Sequence, residues 1–484
     1  MNTSHPEYLK QIRRLDSRPG TTRKARSRGP EKLAGILRLL ERLGGPQDNA
    51  RVVHVAGTNG KGLTAEMVGR LLLQAGHSVG VYASPHVADI RERVRIGGEM
   101  ISPQDFARYC RIVLDEADQI EDPGALTYFD LLTAIAFVAF RKAEVGWWII
   151  ETGVGGRADS TNVTPKKLCV LTQIGRDHLN VLGGDVLKIA YEKLGIATPG
   201  VPVVLARQSA AITPWILQQL RDLGCPVLVA DEIEFQGGAA DRRRIEVVRR
   251  DGLRAALRLP IDPLSRPLME CAATALIAAD VLMGEPKGQS EWEERTATVL
   301  NVRLPARLVL ARGVSLIDDP RRRFDSVVLD GGHNADALEA LCEALEQWGI
   351  SGYVLLLGMM KDKLVDDIER PLTELFRNAR RVIVLDLPFD RAADCAALES
   401  RVKPSANKAI GPGFDHAKPR QALLMAADSA TLVAAGSLWA LGEIIPWLDI
   451  PTPKPITVEP ILVRKPPNQR ESARGRREDN PITS

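Results

Sequence analysis

Cysteine is scarce in this chain and has no pattern. The six cysteines, at positions 110, 169, 225, 271, 342 and 395, form no CxxC pair and have no histidine at zinc-like spacing. That excludes a zinc-binding framework and a disulfide scaffold, leaving reduced thiols. Long apolar runs are missing too, and none reaches membrane-spanning length. The opening residues, MNTSHPEYLK, lack the apolar segment of a signal peptide. No membrane partner is expected, and the cytoplasm is the expected compartment. Charge of one sign is not in excess: 64 Lys and Arg face 61 Asp and Glu, a net charge of +3. So small a balance over this length argues against nucleic acid as a partner.

What is present is the composition of a soluble globular protein, 45% hydrophobic and 26% charged. A chain of 484 residues is too long for one ordinary core. The expected organisation is a mobile basic leader over 1–30, an N-terminal domain over 31–300, a C-terminal domain over 301–450 and a disordered tail over 451–484. The leader reading rests on Arg13 to Arg28, basic but without interleaved aromatics. The tail is rich in Pro, Arg, Glu and Asn and offers little apolar surface to bury.

The densest chemical signal is VAGTNGKGL, Val55 to Leu63, between an apolar strand (Val52, Val53, Val55) and a segment whose Met67, Val68, Leu71, Leu72 and Ala75 share one helical face. A helix N-terminus offers unpaired N–H groups and a positive dipole end, and Gly57, Gly60 and Gly62 let backbone curl around an anion. Lys61 supplies charge. The standard phosphate-loop pattern would need glycine at position 55 and Ser or Thr after the lysine, where this chain has Val55 and Gly62. An ordinary glycine-rich turn fits the isolated stretch as well.

Further strands are expected near Val79, Trp147 to Ile150, Leu168 to Leu171 and Val201 to Leu205, with a helix over Leu131 to Arg141, a pattern that implies a parallel sheet. RIEVV and LRAALRL flank Asp251 and Gly252 as a hairpin. From about residue 300, SVVLD, YVLLLG, RVIVLD and TLVAAGS alternate with helical segments as a smaller doubly wound domain, with Asp330, Gly358 and Gly436 at the strand ends where ligands bind.

The order of motifs extends the argument. AGTNGKG is followed by VGVYASPH (Val79 to His86), ERVRIGGEMIS (Glu92 to Ser102), LTYFD (Leu126 to Asp130) and IIETGVGGRADSTN (Ile149 to Asn162). Then come DHLNVLG (Asp177 to Gly183), EKLGI (Glu192 to Ile196), LPARL (Leu304 to Leu308) and LDGGHNADAL (Leu329 to Leu338). In these segments, from about Val52 to Leu448, the chain resembles the folylpolyglutamate synthase and dihydrofolate synthase family, a branch of the Mur ligases. The resemblance implies an α/β, Mur-ligase-like fold, with an N-terminal P-loop-type ATPase domain and a smaller C-terminal Rossmann-like domain facing it across an ATP-binding cleft. It also implies a monomer.

It further implies an ATP-dependent ligase that adds L-glutamate to dihydropteroate, to the γ-glutamyl tail of a reduced folate, or to both. Joining an amine to a carboxylate requires an activated carboxylate, which ATP provides as an acyl phosphate, and such catalysis is largely positioning and charge neutralisation. Gly57, Thr58, Asn59, Gly60, Lys61 and Gly62 would hold phosphate. Glu151, at a strand end beside that loop, suits Mg2+, although alone it equally suits a cap or a surface carboxylate. By resemblance Ser84 and His178 complete the first magnesium site, and Lys193, as a carbamate, ligates a second. Lys61, Lys193 and His178 are thus the expected catalytic groups. Arg307, Asp330 and His333 are expected nucleotide contacts. Arg157 and Asp159 are expected to shape the substrate side, although they also suit a mutual structural pair. Tyr128 and Phe129 offer rings to a pterin, or to the core.

Some positions depart from the family pattern. Leu63 stands where a hydroxyl residue is usual, with Thr64 one step later. Cys271 replaces a nucleotide-contacting asparagine, Ala306 to Leu308 reads ARL for GRF, Ala335 replaces a proline, and Leu364 replaces an acidic residue after Asp362 and Lys363. A ligase acting on a peptidoglycan precursor or another acceptor, and a nucleotide-binding regulator with weakened catalysis, stay open beside the folate reading.

Overall fold

In the computed structural model, residues 5–18, 33–121, 126–177, 185–237, 244–259, 264–388, 390–399, 415–427, 430–451 and 456–458 are described. Strands β1 (Val52–Ala56), β2 (Val79–Tyr82), β3 (Val94–Ile96), β4 (Glu99–Met100), β5 (Trp147–Glu151), β6 (Leu168–Leu171), β7 (Val203–Leu205) and β8 (Val227–Val229) form one sheet, in the order β4-β3-β2-β5-β1-β6-β7-β8. From β2 to β8 the pairings are parallel, while β3 and β4 run antiparallel at one edge. The central strands β1, β5 and β6 are buried along their whole length, because helices cover both faces. On one face, Met67, Val68, Leu71 and Leu72 of helix Lys61–Gln74 share a core with helix Arg266–Met283. On the other lies helix Tyr128–Lys142, which starts at a capping box: Thr127 Oγ1 accepts from Asp130 N, and Asp130 Oδ2 accepts from Thr127 N.

The expected hairpin is present as β10 (Arg244–Arg249) and β11 (Arg254–Arg258). With β9 (Ile233–Gly237) it belongs to a separate antiparallel sheet rather than to an edge of the first. Thr457–Val458 pairs with β11, and Ile456 enters the core beneath it. This corrects the expectation of a tail without structure from residue 451: one apolar side chain and two backbone pairings anchor 456–458, and residues 459–484 lie outside the described residues. The leader expectation also changes. Pro6–Asp16 is a helix, with Leu15 fully buried and Arg14 paired to Asp115. Its apolar residues Tyr8, Ile12 and Leu15 fall at i, i+4 and i+7, one helical face, a short signal set beside a strongly basic stretch. Residues 1–4 and 19–32 lie outside the described residues.

The C-terminal sheet contains β12 (Val309–Leu316), β13 (Arg323–Asp330), β14 (Tyr353–Leu357), β15 (Ala379–Leu385), β16 (Asp415–Ala417), β17 (Thr431–Ala435) and β18 (Leu448–Asp449), in the order β16-β15-β14-β17-β13-β12-β18. Its five strands from β16 to β13 are parallel, so Asp330, Gly358 and Gly436 gather at one edge. There Gly436 N donates to Asp330 O at 3.3 Å and Gly358 N to Ala435 O at 3.1 Å.

Candidate active site between the two domains

The glycine loop leaves β1 and is tied to the segment after β6. Thr58 N donates to Gln173 O at 2.7 Å, Thr172 Oγ1 to Asn59 O at 2.7 Å, and Gly175 N to Thr58 Oγ1 at 3.0 Å. Gly60 has φ +81°, and a Cβ there would stand 2.7 Å from Cys271 Sγ. At Gly57 a Cβ would overlap Thr172 Oγ1 at 1.8 Å. These glycines let the backbone pass close to Thr172 and Cys271 into the N-terminus of helix Lys61–Gln74, the end of a helix that attracts an anion. Lys61 Nζ donates to Thr58 O at 3.1 Å. Desolvation lowers its pKa, opposed by the nearby charges of Glu151 and Asp177.

Glu151 ends β5 beside that helix start and is 3% exposed. Its Oε2 accepts from Ser84 N at 2.8 Å and lies 3.1 Å from where a Gly62 side chain would begin. Burial raises its pKa, and Lys61 and the Ser84 N–H pull the other way. A hard, buried carboxylate with one oxygen committed to a backbone N–H, next to a serine and a glycine-cleared helix turn, fits a small divalent cation. Lys193 reaches the loop from the other side: its Nζ donates to Gly57 O at 2.6 Å. Burial, followed by the charge of Lys61, brings its pKa down to about 7. A largely neutral amine is the form that can take up CO2, so the residue present fits the carbamate expectation. His178 lies outside the described residues.

From the facing domain come Asp330, His333 and Asn334. Asp330 accepts from Leu308 N at 3.1 Å and Gly332 N at 3.2 Å, and burial lifts its pKa to about 6. Asn334 Nδ2 donates to Asn59 Oδ1 at 3.0 Å, joining the C-terminal domain directly to the glycine loop. His333 Nε2 lies 3.6 Å from Asp177 Oδ2, and Lys363 Nζ lies 2.5 Å from Asp177 Oδ1. Arg307 is close enough to shift the ionisation of Lys61, Glu151 and Asp330. Its neighbours Ala306 and Leu308 take positive φ, +59° and +47°. Where the family pattern has glycine, Ala306 holds left-handed backbone at a cost of about 1–2 kcal/mol.

Arg157 and Asp159 do not pair with each other. Asp159 is buried and organises its own loop, accepting from Gly153 N, Val154 N and Thr161 Oγ1. The Arg157 guanidinium sits 4.1 Å over the Tyr191 ring, and Arg157 N donates to Glu192 O at 2.8 Å. That loop therefore steadies the helix carrying Lys193. Phe129 covers Gly153, while Tyr128 packs against the core beneath the helix start. Leu63 is packed against the first core, and Thr64 is fully buried with its hydroxyl beside Cys271, so neither replaces the usual hydroxyl at the loop. The Cys271 thiol, pushed up to about 12 by burial, stays neutral and donates to Gly60 O at 3.6 Å.

Sequence reasoning passed over Asp177 and Asn334 as site residues and gave Lys363 little weight. The only available signal was the place of Asp177 and Asn334 inside DHLNVLG and LDGGHNADAL, and of Lys363 beside Asp362 and Leu364.

Residues 317–438 match the family model described as Mur ligase, glutamate ligase domain. The chain is 30% identical over 371 residues to the dihydrofolate synthase/folylpolyglutamate synthase of Bacillus subtilis, covering 74% of this chain and 81% of that protein. It is 31% identical over 401 residues to the folylpolyglutamate synthase of Lacticaseibacillus casei, covering 78% and 88%. Among solved structures, Mycobacterium tuberculosis folylpolyglutamate synthase complexed with ADP superposes with a TM-score of 0.74 at 27% identity, covering 90% of this chain and 97% of that one. E. coli FolC in complex with DHPP and ADP gives a TM-score of 0.71 at 26% identity, covering 91% and 97%.

Proposed function

The chain belongs to the folylpolyglutamate synthase and dihydrofolate synthase family, and on that premise we propose that it joins L-glutamate to dihydropteroate and to the γ-glutamyl tail of reduced folates, in both cases at the cleft between its domains. It is an ATP-dependent carboxylate–amine ligase. The observation that supports the site is the junction of Asn59 on the glycine loop with Asn334 beside Asp330 and His333, which brings the loop and the strand ends of the C-terminal domain together.

The glycine loop and Lys61 hold the phosphates, while Asp330 and His333 hold the nucleoside end and Arg307 neutralises charge between them. An oxygen of the acceptor carboxylate attacks the γ-phosphorus, and ADP departs. The amine of glutamate then attacks the acyl carbon, phosphate leaves with the bonding pair, and the nitrogen gives up a proton to form the amide. Glu151 and Ser84, with His178 as the family resemblance expects, would hold Mg2+, which would supply charge neutralisation at the phosphates, and Lys193 as a carbamate would hold a second ion. Phe129, over Gly153, offers its ring to the acceptor side, with Tyr128 packed behind it and Arg157 held on Tyr191 beside it. The enzyme acts as a monomer. Cysteines that form no disulfide and a dependence on ATP fit the cytoplasm, and no helix among the described residues is long and apolar enough to cross a membrane.

The test is phosphate release by the purified protein with Mg-ATP and L-glutamate, comparing dihydropteroate, tetrahydrofolate and no acceptor, with product mass recorded. A gain of one glutamate residue on each acceptor is expected. ATP binding without extension of either acceptor would overturn the reading and turn attention to Leu63 and Cys271.

A further inference from the structure

Three arginines among the described residues are buried: Arg93, Arg249 and Arg295. Two are matched by carboxylates. Arg249 pairs with Asp251, Asp280 and Glu285, and Arg295 with Asp280 and Glu291. Arg93, 7% exposed at the entry to β3, has no carboxylate partner among the described residues. Its Nε–H instead donates to His86 Nδ1 at 2.9 Å. An unmatched buried guanidinium is costly in a folded protein, and a side chain that gains so little internally is suited to an anion from outside.

Its surroundings indicate which anion. The charge of Arg93 is felt at Glu151, Tyr82 and Tyr128, which places it on the acceptor side of the cleft and close to the carboxylate next to Lys61. With Nε occupied by His86, the two Nη groups remain as a fork, the shape that grips a carboxylate through two parallel hydrogen bonds. His86 is itself braced, its ring edge-on to Trp439 of the opposite domain with centroids 5.7 Å apart.

Building on the ligase reading above, we propose that Arg93 receives the carboxylate of the acceptor that is to be activated, and that His86 is the positioning residue that aims it. The acceptor is thus selected for an anionic terminus and delivered with that terminus toward the γ-phosphate.

Arg93→Met and His86→Ala test this, with binding of dihydropteroate compared with binding of its carboxamide in the presence of ADP and Mg2+. Wild type is expected to prefer the carboxylate by about 10- to 100-fold. Arg93→Met should bind both compounds as weakly as wild type binds the amide, with ADP affinity within about twofold and a melting temperature no lower than wild type, because an unmatched buried charge has been removed. His86→Ala should raise the acceptor KM while leaving the ATP KM unchanged, and His86→Gln, which keeps an acceptor for the Arg93 Nε–H, should recover most of the loss. Undiminished preference for the carboxylate in Arg93→Met, or equal loss of acceptor and ADP binding, overturns the assignment. If wild type binds neither dihydropteroate nor its amide, the folate reading fails first and Arg93 falls with it.

Discussion

Replacing Gly62 with alanine should separate stability from turnover. The new methyl carbon would stand 3.1 Å from Glu151 Oε2 and 3.7 Å from its carboxyl carbon, a few tenths of an ångström inside ordinary contact. Gly62 is the second residue of helix Lys61–Gln74 and does not have positive φ, so alanine fits its backbone and contributes about 0.5–1 kcal/mol of helix preference. The carboxylate must yield, and Oε2 is held by Ser84 N at 2.8 Å, a charged hydrogen bond of the kind worth about 1.5–3 kcal/mol. Partial loss of that bond offsets the helix gain, so the net stability should stay within about 1 kcal/mol of wild type. Turnover has no such compensation. If Glu151 acts at the phosphates as proposed, its displacement costs about 10- to 100-fold in kcat. Denaturant midpoints measured beside phosphate release over a magnesium titration give both numbers. A Gly62→Ala enzyme with wild-type kcat and wild-type magnesium dependence would refute the claim that this helix turn is shaped around Glu151.

Three further outcomes follow from the geometry. The Lys193 amine holds a proton up to 10.5 in the unfolded chain but only to about 7 when folded, so between those values the unfolded state binds more protons and wild-type stability rises with pH. In CO2-depleted buffer, wild type should therefore gain roughly 2 kcal/mol on Lys193→Met between pH 7.5 and 9.5; a constant gap would contradict the burial argument. Lys363→Met leaves Asp177 without its closest cation and should cost about 3 kcal/mol at pH 7.5, with Lys363→Arg recovering part of it; equal melting temperatures for all three proteins would mean that the pair does not hold the domains together. Leu15→Ala should lower stability by about 2–4 kcal/mol, because Leu15, on the first helix, is fully buried in the core shared with helix Pro103–Ala117, whereas a mobile leader would show no change.

Much of the fold was legible from residues close together in the chain. The apolar strand, glycine turn and helix from Val52 to Gln74 carry their own periodicity and backbone requirements, so their form follows from local preference. The same holds for the hairpin around Gly252 and for the C-terminal strands ending at Asp330 and Ala435. Helix Pro6–Asp16 escaped because its few buried side chains matter only once helix Pro103–Ala117 lies beneath them.

The sequence by itself determined the alternation of strand and helix and the chemical identity of Lys61, Glu151, Lys193, Asp330 and His333. Tertiary structure alone decided which of them meet. Crossover connections place β5 and β6 on either side of β1, so Glu151 and Thr172 flank the glycine loop although each is about 100 residues away in the chain. Lys193 reaches Gly57 O, Asn334 reaches Asn59 and Lys363 reaches Asp177 in the same way. Sharing Asp280 between Arg249 and Arg295 also required the fold, whereas their pairs with Asp251 and Glu291 are local in the chain. Local preferences act over a few residues, whereas these contacts depend on the order in which parallel strands are laid down and on how two domains face each other, and no short-range pattern encodes either.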